Sequence, residues 1–349
     1  MDKHIIQETC LIYMNVSFYM HNGLIEMGYG KKYKKAGDGN MSLFLWFILI
    51  AALVAVLSVR RVKRRTRLVK PDRLLKPAEW SAEEVTVGWI GHSTVLMNIY
   101  GVKVITDPVL GRRVGQHLGI GDWQIGPRRH VEPAVTYDDL GQVDVILLSH
   151  AHFDHFDIPT LKRLAHPDVL MVVPKNTSKL LKGLPCRRIV ELSGEEEVQL
   201  DECGLTIKAV PVKHWGNRYP WNVDYGYTGY LIEKRDTRIF FPGDTAYTPD
   251  FYRLRERGEI DLCFMPIGAY SPDKYQWAHC TPEQAWQMFL DTGANVLVPI
   301  HWDTIKLSQE PLHEPLERLL TASGEQRDRI VITKHGEVYV LVKDKVSLS

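Results

Sequence analysis

The sequence predicts a layered α/β fold over residues 81–349, an α+β sandwich carried behind a single membrane-spanning helix. Short β-branched runs bounded by turn residues alternate with helix-period segments across that region, as layered sheets and helices require. Five of the strand candidates end in a side chain able to bind a metal or react: Asp107, His150, His214, Asp244 and His301. Residues 41–59 are 19 almost wholly apolar positions without Gly, Pro or charge.

From the N-terminus, residues 1–40 show no sustained apolar periodicity and read as an extension. Met41 opens directly onto the apolar segment, so translation from Met41 rather than Met1 is expected to yield the working protein. The segment 41–59, MSLFLWFILIAALVAVLSV, is about the length that crosses a bilayer core. It is followed by RRVKRRTR, with six cations in eight residues, whereas a buried core helix is rarely apolar all round and then so abruptly basic. KKYKK (31–35) lies on the other side with four cations, so the count places the C-terminal side, and the catalytic domain, in the cytoplasm. A cleaved signal peptide would need small residues after the apolar run, where the basic run stands instead. Residues 60–80 read as a basic juxtamembrane linker in which Pro71 and Pro77 stop any continued helix.

Beyond residue 80 the strand candidates are VTVGWIG, TVLMNIYG, VKVITDP and VDVILLSH. Further along the chain come LMVVP, LTIKAVPV, YTGYLIEK, TRIFFPGD, DLCFMPIG, ANVLVPIHW, RIVITKHG and EVYVLV. Helical spacing is found at IPTLKRLA (158–165) and at 281–293, where Thr281 suits the N-cap, Pro282 the first helical position and Gly293 the stop.

Charge and cysteines narrow the partners. Residues 1–76 hold 14 basic and 5 acidic side chains, leaving 29 of 43 basic and 37 of 42 acidic ones to the remainder, net −8. Such a domain repels a phosphate backbone on average, so no nucleic-acid partner is expected. The five cysteines are odd in number and scattered without a CxxC pair, which suggests neither a disulfide framework nor a thiolate zinc site.

The densest chemistry is SHAHFDHFD (149–157). His150 and His152, two apart on an extended strand end, face the same way, while the adjacent Asp154 and His155 diverge from them, and that divergence suits two metal ions. Imidazoles with a few carboxylates and no thiolate suit Zn²⁺ first, with Fe or Mn also compatible. His279 lies before a helix N-terminus in a Trp-bearing loop, where it could donate to a phosphate oxygen or protonate a leaving alkoxide. His92 and Asp107 suit supporting roles that orient ligands. Phe153, Phe156, Trp215, Tyr247, Tyr270, Tyr275 and Trp277 fall within a few residues of these positions and could line an apolar entry.

The H-x-H-x-D-H spacing with His214, Asp244 and His301 downstream resembles the metallo-β-lactamase-fold hydrolases. The resemblance implies an αββα fold, two packed sheets flanked by helices, with the site at one edge. It also implies that His150, His152 and His214 hold one metal, that Asp154, His155 and His301 hold the other, and that Asp244 bridges both, with a hydroxide between the two Zn²⁺ ions as nucleophile. Two such ions less two carboxylates and a hydroxide leave about +1, which attracts an anion.

WIGHSTVLM, TDPVLGRR, IGPRRH, KHWGNR, FFPGDTAY, MPIGAYSP, WAHCTPEQA, PIHWDT and ITKHGE, collinear over residues 85–340, resemble the branch of N-acyl-phosphatidylethanolamine-hydrolysing phospholipases D. That implies a phospholipid substrate, cleavage to an N-acylethanolamine and phosphatidic acid, and a catalytic part for His279 beside Asp244. A homodimer stays open. The anchor departs from the branch's animal enzymes and favours a lipid independently, because a tethered domain meets membrane lipid at high effective concentration. The alternative on the same fold is a lactonase or carboxylic-ester hydrolase of a soluble anionic metabolite. A non-catalytic tethered component is disfavoured by the intact ligand set.

Overall fold

A computed structural model describes residues 68–117, 124–219, 221 and 223–341, together with Leu49. The extension 1–40, the expected membrane helix 41–59 apart from Leu49, and the basic run 60–67 lie outside the described residues. Among the described residues no helix is long and apolar enough to cross a membrane.

β1 (Val85–Gly91), β2 (Thr94–Ile99) and β3 (Val102–Thr106) form an antiparallel meander. The short strands β4 (Gln116–His117) and β5 (Gln124–Ile125) pair with each other. After α1 (Tyr137–Leu140), the chain adds β6 (Val145–Leu147), α2 (Ile158–Leu164), β7 (Leu170–Pro174) and β8 (Arg188–Leu192), the three strands running parallel. A second sheet starts with β9 (Glu197–Leu200), β10 (Leu205–Val210), β11 (Gly229–Lys234) and β12 (Thr237–Phe241), all antiparallel. It gains β13 (Leu262–Pro266) and, after α3 (Pro282–Thr292), β14 (Val296–Ile300) in parallel. α4 (Glu314–Ser323) then leads to β15 (Val338–Leu341), which returns to pair antiparallel with β1. The sheet orders are β15-β1-β2-β3-β6-β7-β8 and β14-β13-β12-β11-β10-β9.

Strand alternation shows how the layers stack. Val85, Val87, Trp89, Val95 and Met97 share one core with Leu205, Ile207, Tyr230 and Phe241 of the second sheet. Their neighbours Ile90, Leu96, Ile105 and Ile146 share another with Leu140, Leu161 and Leu164 of α1 and α2. Ala285, Trp286, Met288 and Phe289 of α3 and Leu319 of α4 cover the second sheet. With both faces covered, the strands read as continuous apolar runs; every residue of β1 and β13 is buried. The order of layers is helix, sheet, sheet, helix.

α3 has the expected termini: Thr281 and Gln284 form a capping box, Pro282 opens the helix, and Gly293 closes it at φ 73°. Residues 68–80 of the expected linker dock on the domain: the Val69 amide donates to the His130 carbonyl, and Leu75 is buried in the core under α1 and α2. One strand expectation is corrected. RIVITKHG is not a strand but a loop, bridged to β14 at Leu297–Ile330 and to β1 by the Gly336 amide, which donates to the Trp89 carbonyl. Ile332 lies at φ 58°, and the Thr333 and Lys334 amides donate to the Glu337 carboxylate rather than to a neighbouring strand. β8, β9 and α4 lie outside the candidate elements of the sequence; β8 and β9 each fully bury only their last residue, Leu192 and Leu200.

Candidate metal centre

The C-terminal ends of five strands meet at one edge of the sandwich: Asp107 follows β3, His150 follows β6, His214 follows β10, Asp244 follows β12 and His301 follows β14. Four residues here hold left-handed backbone without being glycine: His92 (φ 56°), Asp107 (36°), His301 (61°) and Asp303 (49°). Such conformations cost on the order of 1–3 kcal/mol each and persist where packing fixes them, characteristically at functional sites.

The histidines and carboxylates fall into two groups. His150, His152 and His214 converge on one point; Asp154, His155 and His301 converge on another, joined by His92. Asp244 lies between, with Oδ2 3.1 Å from His155 Nε2, 3.0 Å from His301 Nε2 and 4.0 Å from His214 Nε2. Two further groupings overlap these, Asp107 with His150 and His155, and Asp244 with His279 and His301.

Proton bookkeeping shows what the first group lacks. Ser149 Oγ donates to Asp107 Oδ2 (2.6 Å), so it accepts from His150 Nδ1 (2.9 Å) and leaves His150 Nε2 a bare lone pair. His214 Nδ1 donates to the Ala278 carbonyl (2.8 Å), which leaves its Nε2 bare as well. Both lone pairs face His152 Nδ1, at 2.8 and 3.4 Å. A single proton there could satisfy one of them, whereas a cation satisfies all three. A tetrahedral zinc ion with bonds of about 2.0–2.1 Å sets its donors about 3.4 Å apart, close to these separations.

In the second group His155 Nδ1 meets Asp107 Oδ2 at 2.8 Å, directing Nε2 toward two carboxylates, Asp244 at 3.1 Å and Asp154 at 3.4 Å. His301 Nε2 lies 3.5 Å from Asp154 Oδ2. His152 Nε2, His155 Nε2, His301 Nε2 and Asp244 Oδ1 are buried without a hydrogen-bond partner, and unpaired buried polar atoms are costly. Electrostatics agree with this division. Burial holds the His150 imidazole well below its ordinary range and pushes His152 and His214 down to about 3, so these three are neutral donors of lone pairs. Burial also presses on His155 and His301, but Asp244 and Asp154 outweigh it, raising His155 well above its ordinary value and His301 to about 9. Burial opposes ionisation of Asp154 and Asp244, yet His155 and His301 draw both well below the usual carboxylate range. The second group therefore also demands positive charge between its donors. Together the two groups fit a dinuclear metal centre.

Asp107, His92 and His279 lie around these donors. Asp107 accepts from the Ser149 amide (2.7 Å), from Ser149 Oγ and from His155. His92 Nε2 lies 3.0 Å from Asp154 Oδ2. His279 Nδ1 lies 3.8 Å from Asp244 Oδ2, with its ring 5.4 Å from that of His301; burial lowers its pKa to about 3 and keeps it neutral.

The aromatic residues divide. Trp215 packs edge-on against His152 at 4.2 Å, Trp277 lies 6.0 Å from Trp215, and Phe153 lies under Arg218 at 4.0 Å. Phe156 is buried in the core beneath α2, and Tyr247 packs on the inter-sheet core. Tyr275 offers its carbonyl to the His279 amide. Tyr270, expected near the entry, is instead buried with its hydroxyl donating to Glu314 and its ring beside Arg318, because α4 packs over it. Sequence reasoning missed Ser149 and the Ala278 carbonyl as tautomer-setting partners. It also missed Tyr227, 41% exposed and 6.4 Å from the His214 ring, and Trp221, 73% exposed and stacked on Tyr219 at 5.0 Å. None of these carries a recognisable spacing.

Comparison with known proteins agrees with this geometry. The β-lactamase superfamily domain matches residues 103–302. An uncharacterized protein of Mycobacterium tuberculosis is 35% identical, over 73% of this chain and 68% of its own length. N-acyl-phosphatidylethanolamine-hydrolyzing phospholipase D 1 of Caenorhabditis elegans is 30% identical, over 72% of this chain and 74% of its own length. Among solved structures, an isothiocyanate hydrolase from Delia radicum gut bacteria shares the fold with a TM-score of 0.59 at 20% identity, over 74% of this chain and all of its own.

Proposed function

The chain belongs to the metallo-β-lactamase superfamily, and from that premise we propose that this metal-dependent hydrolase is a membrane-anchored phosphodiesterase. Its substrate in this reading is an N-acylated phosphatidylethanolamine, cleaved in the phospholipase D sense to an N-acylethanolamine and phosphatidic acid, as the similarity to the Caenorhabditis elegans enzyme suggests. The observation that carries the lipid assignment is a pair of solvent-exposed aromatics, Trp277 and Tyr227, beside a cation-demanding site. Trp277 is 55% exposed next to Trp215, and Tyr227 stands over His214. An apolar rim around an anion-attracting centre suits a molecule with a phosphate and acyl chains.

His150, His152 and His214 would hold one metal, Asp154, His155 and His301 the other, and Asp244 would lie between them, with zinc the first choice for such donors. Bound there, two divalent cations would supply a strong nucleophile from water at neutral pH and offset charge gathering on a phosphoryl group. The chain's own residues do the rest. Ser149, Asp107 and Ala278 orient the imidazoles of His150, His155 and His214 through Nδ1, so that Nε2 of each faces the site. His279, held neutral, donates an N–H hydrogen bond to a phosphoryl oxygen rather than acting as a full acid. The apolar segment 41–59 would keep the domain at the bilayer, with the basic run 60–67 on the cytoplasmic side.

The test offers full-length protein in detergent–lipid micelles an N-acylated phosphatidylethanolamine and, side by side, a sugar-phosphate lactone, with products read by mass spectrometry. Release of N-acylethanolamine, lost in Asp244→Asn, is the expected result. Lactone turnover without lipid cleavage would overturn the lipid assignment.

A further inference from the structure

ITKHGE, GHST and the end of PIHWDT are conspicuous in the sequence, yet none has a part in the mechanism above. In the fold they meet behind the second metal group. The His92 amide donates to Thr304 Oγ1 at 2.6 Å, and the His92 carbonyl accepts from Trp89 Nε1 at 2.8 Å and from the His301 amide at 3.1 Å. Held at both ends of its backbone, in a left-handed conformation few residues adopt, His92 directs Nε2 at Asp154 Oδ2. Because Thr304 Oγ1 accepts from an amide, its own proton is free for His335 Nε2, 2.9 Å away. The His335 ring lies against Trp89 at 4.2 Å and 22°, and Trp302 stacks near Trp89 at 5.4 Å. His92, Thr304 and His335 are 1%, 0% and 3% exposed, so water has little access to replace these bonds. Gly91 keeps the junction closed, since a Cβ there would meet Arg129 Nη2, His335 Cδ2 and Thr304 Cγ2, each at 3.2 Å.

We propose that Thr304 and His335 are positioning residues for the Asp154/His155/His301 half of the metal centre, acting through His92. The chain of contacts reaches two members of that half, Asp154 by the His92 side chain and His301 by the His92 carbonyl. It bypasses His150 and His214, which are oriented by Ser149 and Ala278 instead, and His152, which packs against Trp215. The proposal rests on Asp154 and His301 being ligands, and it predicts an asymmetry that general loosening of the fold would not produce.

The experiment uses the full chain as wild type, Thr304→Val, Thr304→Ser and His335→Gln. Zinc content is measured after equilibration at buffered free zinc, and optical spectra are recorded as cobalt is added stepwise. Thr304→Val is expected to keep one ion at wild-type affinity and bind the other about 10–100-fold more weakly, the usual scale for loss of an outer hydrogen-bond partner. Thr304→Ser, which keeps the hydroxyl, restores both, and His335→Gln shifts in the same direction as Thr304→Val. Equal weakening of both ions, or wild-type affinity for both in Thr304→Val, overturns the proposal. If Thr304→Val does not fold, the His335→Gln titration decides by the same criterion. A wild-type chain that binds fewer than two ions would overturn the dinuclear reading itself, and this proposal with it.

Discussion

Asp107 never needs to touch a metal, yet its replacement by asparagine should weaken the centre. The carboxylate accepts at both oxygens: Oδ1 takes the Ser149 amide at 2.7 Å, and Oδ2 takes Ser149 Oγ at 2.6 Å and His155 Nδ1 at 2.8 Å. An asparagine has one oxygen. If its NH₂ replaces Oδ1, it opposes the Ser149 amide. If it replaces Oδ2, it opposes His155 Nδ1–H, and the imidazole can escape only by moving its proton to Nε2, the atom that faces Asp154 and Asp244. Losing one hydrogen bond to a buried charged group costs about 1.5–3 kcal/mol. At about 1.4 kcal/mol per tenfold, that is roughly 10–100-fold in affinity for the ion held by His155. Competition with a zinc-buffering chelator measures it, with melting of the metal-free proteins as the control for folding. Asp107→Asn protein that binds both ions with wild-type affinity would refute the claim that Asp107 sets the His155 tautomer.

Three further outcomes follow from the structure. Trp277→Ala should lower turnover of vesicle-borne substrate several-fold while leaving a short-chain soluble phosphodiester nearly unaffected; because Trp277 is 55% exposed, its stability should move by no more than about 0.5 kcal/mol. Comparing the two substrates checks this, and equal losses on both would count against an interfacial role. Thr281→Ala removes the N-cap bond to the Gln284 amide and should destabilise the fold by about 1 kcal/mol in denaturant unfolding, without altering metal content. Burial lowers the folded-state pKa of His335 to about 3, so between about pH 3 and its ordinary value near 6.5 the unfolded chain binds the extra proton and stability falls as pH falls. In metal-free protein His335→Gln should flatten that slope by up to about 1.4 kcal/mol per pH unit. Urea midpoints between pH 4 and 6.5 measure it, and parallel profiles for the two proteins would contradict a buried neutral His335.

What the sequence discloses and what it withholds have different physical causes. HxHxDH is legible because all four donors lie within six residues of one strand end: His150 and His152 leave the strand two apart, and a turn closed by the His155 and Phe156 amides on the His152 carbonyl keeps Asp154 and His155 close by. Asp244 and His301 are legible for a related reason: each follows an apolar run that can only be a buried strand. The supporting network is not encoded locally. Ser149 matters because its hydroxyl stands between Asp107, 42 residues earlier, and His150 beside it, and Thr304 matters because it meets the amide of His92, 212 residues away. Neither contact leaves a periodicity, and serine and threonine are common at any turn. RIVITKHG misleads for the converse reason. Its β-branched run fits a strand, yet Ile332 in left-handed backbone and the Glu337 carboxylate turn it into a loop that carries His335 to Thr304. The failed strand and the proposed positioning residue are thus one feature: beyond the end of the β1–β15 ladder the segment meets β1 at Trp89, through the Gly336 amide and the Glu337 carbonyl, and the loop leaving that junction lays the His335 imidazole against the Trp89 ring and within reach of Thr304.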